Sequence, residues 1–251
     1  MANLLRKLCQ IVDWDGSEVI FDIKKEIYPK VAGYLASKGR VITIDLSQGL
    51  GDQYDPLQGH SSDRELHKLA KHLVYDPQDK ETIFSDRGAK MVTQIFLAAR
   101  ILEERPLPYL ASLINRGVNE VAAALHAVSP NLAQTFLSAT YKPGKDYEKN
   151  EFRVDSWDTV STRLYAFLTA DMVRTFAGSD FTAHDLYFAD KPMFVFINFH
   201  ESDLLSMAPL IKFVWLFAIF EARPKSFHTK PLCAFDDCVH FVAHTPSAES
   251  A

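Results

Sequence analysis

The sequence predicts an α/β protein built on a parallel sheet, and three observations carry that expectation. Short β-branched and aromatic runs stand at Val19–Phe21, Val41–Ile44, Met193–Ile197 and Leu232–Phe235, the pattern of strands buried on both faces. Helical spacing separates them, as right-handed β-α-β crossovers require. Between the second and third runs, from Ser61 to about Tyr141, the spacing is helical throughout. A strandless stretch in that place reads as a helical lobe inserted into the α/β core.

The elements follow in order. Leu4, Leu5, Leu8 and Ile11 make Asn3–Val12 an amphipathic helix. Asp15-Gly16-Ser17 is a turn, and Val19–Phe21 the first strand, closed by Asp22. Lys24, Lys25 and Glu26 open a helix that runs to Ser37 and stops at Lys38-Gly39, a basic last turn followed by glycine. Val41–Ile44 leads to Asp45, and Gly49-Leu50-Gly51-Asp52 with Asp55-Pro56 is loop. Ser62-Asp63 caps a helix through Leu66, Leu69, Ala70 and Leu73. Phe84–Glu104 is a long helix stopped by Pro106 and Pro108, and Tyr109–Asn115, Val118–Ala127 and Pro130–Thr140 are shorter ones. Tyr141–Arg153 is a polar linker, Thr159–Val173 an amphipathic helix, and Phe176–Phe181 a break. After the strand Met193–Ile197 come a mostly apolar helix, Leu204–Ala222, and a strand, Pro231–Phe235, ending in Asp236 and Asp237. The expected organisation is residues 1–60 and 151–251 as two parts of one α/β domain, with 61–150 as an all-α insertion.

Composition narrows the class. With 251 residues, 47% of them hydrophobic and 24% charged, the chain has the profile of a soluble globular protein with one substantial core. A net charge of −5 means that nucleic acid is not attracted by the chain as a whole, only by local basic patches or a symmetric assembly. Cys9, Cys233 and Cys238 suit a reducing compartment rather than a disulfide framework. The most apolar stretch, Met207–Phe220, contains Lys212 and falls short of the roughly 20 residues of a spanning helix.

Asp22 ends a buried strand at the edge where parallel sheets handle ligands, and it suits equally a cap on the next helix. Asp236-Asp237 at the end of an apolar strand has the form of a Walker B element, in which one carboxylate holds Mg²⁺ through water and its neighbour polarises the attacking water. Two acids in a surface turn are the plain alternative. Cys233, Cys238, His240 and His244 are zinc-type ligands, but ribbon and finger spacing is absent, which favours a buried thiol and tail histidines. The phosphate-binding pattern G-x-x-x-x-G-K-[ST] does not occur, and Gly144-Lys145 is followed by Asp146.

In this order the motifs resemble the VirD4/TraG coupling proteins of type IV secretion and conjugative DNA transfer. Asp22-Ile23-Lys24-Lys25-Glu26-Ile27-Tyr28 is similar to the family's Asp-x-Lys-Gly-Glu segment and its following tyrosine, with Lys25 in the place of glycine. Tyr54-Asp55-Pro56-Leu57 is similar to its Tyr-Asn-Pro-Leu, with aspartate for asparagine. Phe176–Phe181 with Asp185-Leu186 resembles its Ser-x-Phe-Asp…Asp-Leu segment, and the helical stretch falls where the family has an all-α domain. Asp237 stands where the family has glutamate, and the sequence beyond Cys238 departs from it.

The resemblance runs from Trp14 to Asp237 and implies a RecA-like P-loop NTPase core with a parallel sheet and an inserted all-α domain. It implies ATP and Mg²⁺, with Asp22, Lys24 and Glu26 at the nucleotide, Asp236 holding Mg²⁺ through water, and Asp236 and Asp237 catalytic. Arg163 and Arg174 are candidates to face a neighbouring subunit's nucleotide, with a solvated helix arginine as the plain alternative. The implied assembly is a homo-hexameric motor on the cytoplasmic side of the bacterial inner membrane, linking a relaxosome with its DNA, or a protein substrate, to the secretion channel. The family's P-loop precedes this aspartate by about 20 residues, which falls near the first residue here. The expectation is therefore a fragment that starts past the phosphate cradle, with no membrane segment and no ATPase activity alone. The other expectation is a non-catalytic α/β interaction domain that binds a protein partner through its helical lobe.

Overall fold

The computed structural model describes residues 2–14, 16–58, 62–76, 79, 82–165, 168–200 and 202. The expected helix Leu204–Ala222, the strand Leu232–Phe235 and everything after it lie outside the described residues.

Three of the expected strands share one sheet. β1 (Glu18–Phe21) and β2 (Arg40–Asp45) do not pair with each other; β4 (Met193–Asn198) lies between them and pairs parallel with both. β3 (Leu50–Gly51) adds an antiparallel edge to β2. The sequence reads as loop there, but Asp52 folds it back: its carboxylate accepts from the Thr43 N–H at 2.8 Å, and its own N–H donates to the Thr43 carbonyl at 2.7 Å.

Alternation along the strands divides two cores, since successive side chains point to opposite faces. Ile20, Phe194 and Phe196 meet Ile11 of α1 (Ala2–Asp13), together with Ile27, Val31 and Leu35 at α2 (Tyr28–Lys38). Val19, Phe21, Ile42, Ile44, Val195 and Ile197 join the larger core on the other face. Gly39 after α2 is extended, with φ −167°, and not a left-handed cap. A Cβ there would lie 1.9 Å from the Pro192 carbonyl oxygen, so this glycine admits β4 to its place beside β2.

The stretch expected to be helical is α3 (Asp63–Val74), α4 (Ile83–Ile101), α5 (Pro106–Leu113), α6 (Val118–Val128) and α7 (Pro130–Leu137). No strand occurs among its described residues. α4 is the axis, with Met91, Val92, Ile95 and Phe96 wholly buried; each such side chain contributes about 1.5–3 kcal/mol on burial. Ser62 and Glu65 form the reciprocal capping box that starts α3. Pro106 and Pro108 lie in the first turn of α5 rather than ending α4, because an N-terminal turn has no use for the N–H that proline lacks.

α8 (Glu151–Tyr165) and α9 (Ala170–Thr175) replace the single helix expected over Thr159–Val173. The Asn150 side chain accepts from the Arg153 N–H at 3.0 Å and Thr169 Oγ1 from the Met172 N–H at 3.4 Å, so each helix has its own cap. A short α10 (Asp185–Phe188) precedes β4. Among the described residues no helix is long and apolar enough to cross a membrane.

Candidate functional site

The carboxyl edge of the sheet is where the sequence places its first candidates. The Asp22 N–H still donates to the Ile197 carbonyl at 3.0 Å, so Asp22 continues the β1 ladder. Its side chain is 1% exposed. One carboxylate oxygen accepts from the Glu26 N–H at 3.0 Å; the other accepts from the N–H groups of Ile27 at 3.0 Å and Tyr28 at 2.8 Å. These amides stand at the start of α2, where partners are lacking and an anion is favoured. The helix therefore begins at Tyr28 and not at Lys24, because Asp22 holds the intervening residues as a loop. Of its two sequence readings, the cap is the one with geometry behind it.

Lys25 sits in that loop with φ 52°, the left-handed region. This is the position at which the resembled motif has glycine, and a non-glycine residue there costs about 1–2 kcal/mol. Its ammonium crosses to Asp45 Oδ2 at 2.5 Å, while Asp45 Oδ1 accepts from the N–H groups of Ser47 and Gln48, each at 3.1 Å. Lys24 and Glu26 are exposed on the same loop.

Asp22, Asn198 and Asp45 thus end three neighbouring strands, with Asn198 in register with Asp45. The Asn198 Oδ1 atom is buried with no hydrogen-bond partner among the described residues. The His200 N–H donates to Ser47 Oγ at 2.8 Å just beyond. Asp45 and Asn198 were not among the sequence candidates, although each is the polar residue ending an apolar run, the same signal that singled out Asp22. The row offers hard oxygen donors and one ammonium; among the described residues no group of three or more His, Cys, Asp or Glu side chains is arranged to hold a metal.

The other motif segments meet each other. Asp55 Oδ1 accepts from the Leu57 N–H at 3.0 Å, which makes the turn that an asparagine would make, and Oδ2 pairs with Arg105 at 3.0 Å. The wholly buried Tyr54 ring stacks on Phe181 with centroids 4.7 Å apart, and burial raises the phenol pKa above its ordinary value. Asp180 accepts from the Gln53 N–H at 2.7 Å.

Arg163 donates to the Val74 carbonyl at 2.6 Å and to Ser85 Oγ at 2.8 Å, and pairs with Asp79. Arg174 pairs with Asp171. Both arginines are engaged within the chain. Asp236 and Asp237, and with them Cys233, Cys238, His240 and His244, lie outside the described residues.

The fold is mixed α/β, a mostly parallel sheet with many helices, of the kind found in conjugative coupling proteins. The plasmid coupling protein TrwB in complex with ADP and Mg²⁺ aligns with a TM-score of 0.61 over 87% of this chain and 48% of that one, at 15% identity. The bacterial conjugative coupling protein TrwBdeltaN70, in its trigonal form with sulphate, aligns with a TM-score of 0.55 over 83% and 45%, at 14% identity. The chain spans a little under half the length of these proteins. No protein-family model and no curated protein matches the sequence. At this identity the likeness establishes the fold, and it is the fold that the sequence motifs imply.

Proposed function

We propose that the chain is part of the cytoplasmic motor of a type IV secretion or conjugation coupling protein. In this reading residues 1–60 and 151–251 form the nucleotide-binding domain and 61–150 the all-α insertion. The observation that carries it is Lys25: a lysine held left-handed at 52°, in a loop whose family motif has glycine there, keeps the backbone conformation that glycine adopts easily although it carries a side chain. Asp22 fixes that loop, and Lys24 and Glu26 are presented from it toward ATP and Mg²⁺. Asp236 holds the Mg²⁺ through water and Asp237 stands beside it as the catalytic carboxylate. The motor is a homo-hexamer at the inner membrane that passes relaxosome-bound DNA or protein to the secretion channel.

The sequence contains no glycine-rich phosphate cradle, and without such backbone N–H groups the β- and γ-phosphates have no holder. The chain alone therefore binds ATP weakly and does not hydrolyse it. A titration with a labelled ATP analogue and Mg²⁺, repeated on Asp236→Ala, tests this. Micromolar binding corresponds to about 8 kcal/mol; finding it, and losing it in the variant, would overturn the expectation of an inactive chain.

A second reading, a non-catalytic interaction domain that binds a protein through its helices, is favoured by the full engagement of the Asp22 carboxylate with backbone N–H groups. The two readings part on DNA: the motor domain assembles into hexamers on single-stranded DNA in sedimentation, whereas the interaction domain stays unchanged by it.

A further inference from the structure

The outer side of the seam between α3 and α4 is built from three rungs. Asp63, His67 and Lys71 follow one another at i, i+4 and i+8 on α3, a spacing that sets them in one row. Each reaches a residue of α4, in reverse order along it. Asp63 pairs with Arg100 at 2.7 Å, His67 Nδ1 lies 3.0 Å from Thr93 Oγ1, and Lys71 pairs with Asp86 at 2.8 Å. The outer rungs are ion pairs. The middle one carries a side chain that changes its charge near neutrality.

Hydrogen bonding fixes the form of the His67 ring. The buried Thr93 Oγ1 donates its one hydrogen to the Ala89 carbonyl at 2.6 Å, so toward His67 it only accepts. Nδ1 therefore carries the ring proton, and the neutral imidazole keeps its lone pair on Nε2. Taking up a second proton at Nε2 breaks no bond to Thr93. What protonation changes at this rung is charge alone.

The charge arrives in an unfavourable place. Lys71 stands one turn further along α3, and the exposed Lys90 lies three residues before Thr93 on α4. Partial burial, then these two ammonium groups, push the His67 pKa below its ordinary 6.5, against a smaller pull from Asp86. Among the described residues no carboxylate pairs with His67: Asp63 is held by Arg100 and Asp86 by Lys71. α8 also packs against α3, but its Arg163 is spent at the far end on the Val74 carbonyl, Ser85 and Asp79.

We propose that the His67–Thr93 rung is a proton-operated catch: when His67 takes up a proton, α3 loosens from α4 along this seam. The sign follows from linkage. A group whose folded-state pKa is lowered binds fewer protons in the closed seam than in the open one. The stability it contributes is full above the ordinary value of 6.5, declines as pH falls through that value, and levels off below the folded-state one. The Lys71–Asp86 rung stays charged throughout, because Lys71 holds the Asp86 carboxyl below its ordinary range. The inference does not depend on the nucleotide reading above.

The test uses the full chain and two readouts. An NMR titration of the imidazoles should give His67 a midpoint below 6.5, and Lys90→Gln, which removes an exposed cation, should raise it. Amide hydrogen exchange, corrected for the intrinsic rate, should show α3 losing about threefold or more of its protection relative to α6 between about pH 7.5 and about pH 5.5. His67→Asn keeps an N–H for Thr93 and takes up no proton, so the loss should vanish in it; in Lys90→Gln it should shrink. Circular dichroism checks that each variant is folded; should His67→Asn not fold, Lys90→Gln decides alone. The proposal is overturned if His67 titrates at or above 6.5, if α3 protection does not fall with pH in the wild type, or if the fall persists undiminished in either variant.

Discussion

Two loops of this protein are each organised by one buried aspartate, and they use it differently. Asp22 gives both oxygens to backbone N–H groups, and among the described residues it meets no cation. Asp55 gives one oxygen to the Leu57 N–H and the other to Arg105. In the first, the negative charge is balanced by the start of a helix; in the second, by a side chain. A loop held by a helix terminus cannot exchange its aspartate for a neutral residue cheaply. A loop held by a turn plus an ion pair can, because asparagine still makes the turn.

The comparison predicts its own breaking points. Asp22→Ala should be the most damaging change, at about 3–4 kcal/mol in urea unfolding, since three N–H groups, one buried and two part-buried, lose their acceptor at once. Asp22→Asn should recover only part of this. A loss below about 1 kcal/mol would show that the α2 start finds other partners, and the contrast with Asp55 would fall.

Next in size is Arg163→Ala, which removes the cation that ties α8 to Val74, Ser85 and Asp79. With both partners mostly buried, the expected cost is about 2 kcal/mol. The Arg163 guanidinium holds the Asp79 carboxyl below its ordinary pKa. A lowered folded-state pKa contributes stability that is present above the unfolded value of 3.8 and lost as pH falls through the folded value. Chemical denaturation followed from pH 6 downward should therefore show wild type losing more stability below about pH 4 than Arg163→Ala does. Parallel curves for the two proteins would refute the coupling.

Asp55→Asn should cost only about 1 kcal/mol, the part due to Arg105, which is itself partly exposed. The smallest effect is expected for Lys25→Gly, within about 1 kcal/mol of zero, because relief of the left-handed backbone is set against loss of the Asp45 ion pair. Its sign, read from the melting temperature, says which of the two dominates at the carboxyl edge.

The parallel sheet and the helical stretch were legible because each rests on a composition that few other structures tolerate. Val195 and Phe196 in a row make a strand buried on both faces, and Leu66, Leu69 and Leu73 mark one side of a helix. What escaped was set by contacts that residue type and spacing do not announce. The start of α2 depends on a carboxylate several residues before it, and Lys25 carries no glycine to announce its conformation. Pro106 looks the same to a reader whether it stops one helix or opens another. At the candidate site, Asp22 was found with both its readings open. Asp45 and Asn198 gained meaning only when β4 set them side by side.

The insertion of β4 between β1 and β2 has a consequence for how the chain is made. Neither of the first two strands has its parallel neighbour until residues 193–198 emerge from the ribosome. At about 5–20 residues per second, the stretch between β2 and β4 takes roughly seven to thirty seconds to synthesise. During that time α3–α7 can already fold on local contacts, which form fastest, while β1 and β2 wait with their ladder groups open. The last described strand therefore acts as a keystone whose arrival is timed by translation. A pause before Met193 leaves exposed the two edges most prone to pair with another chain.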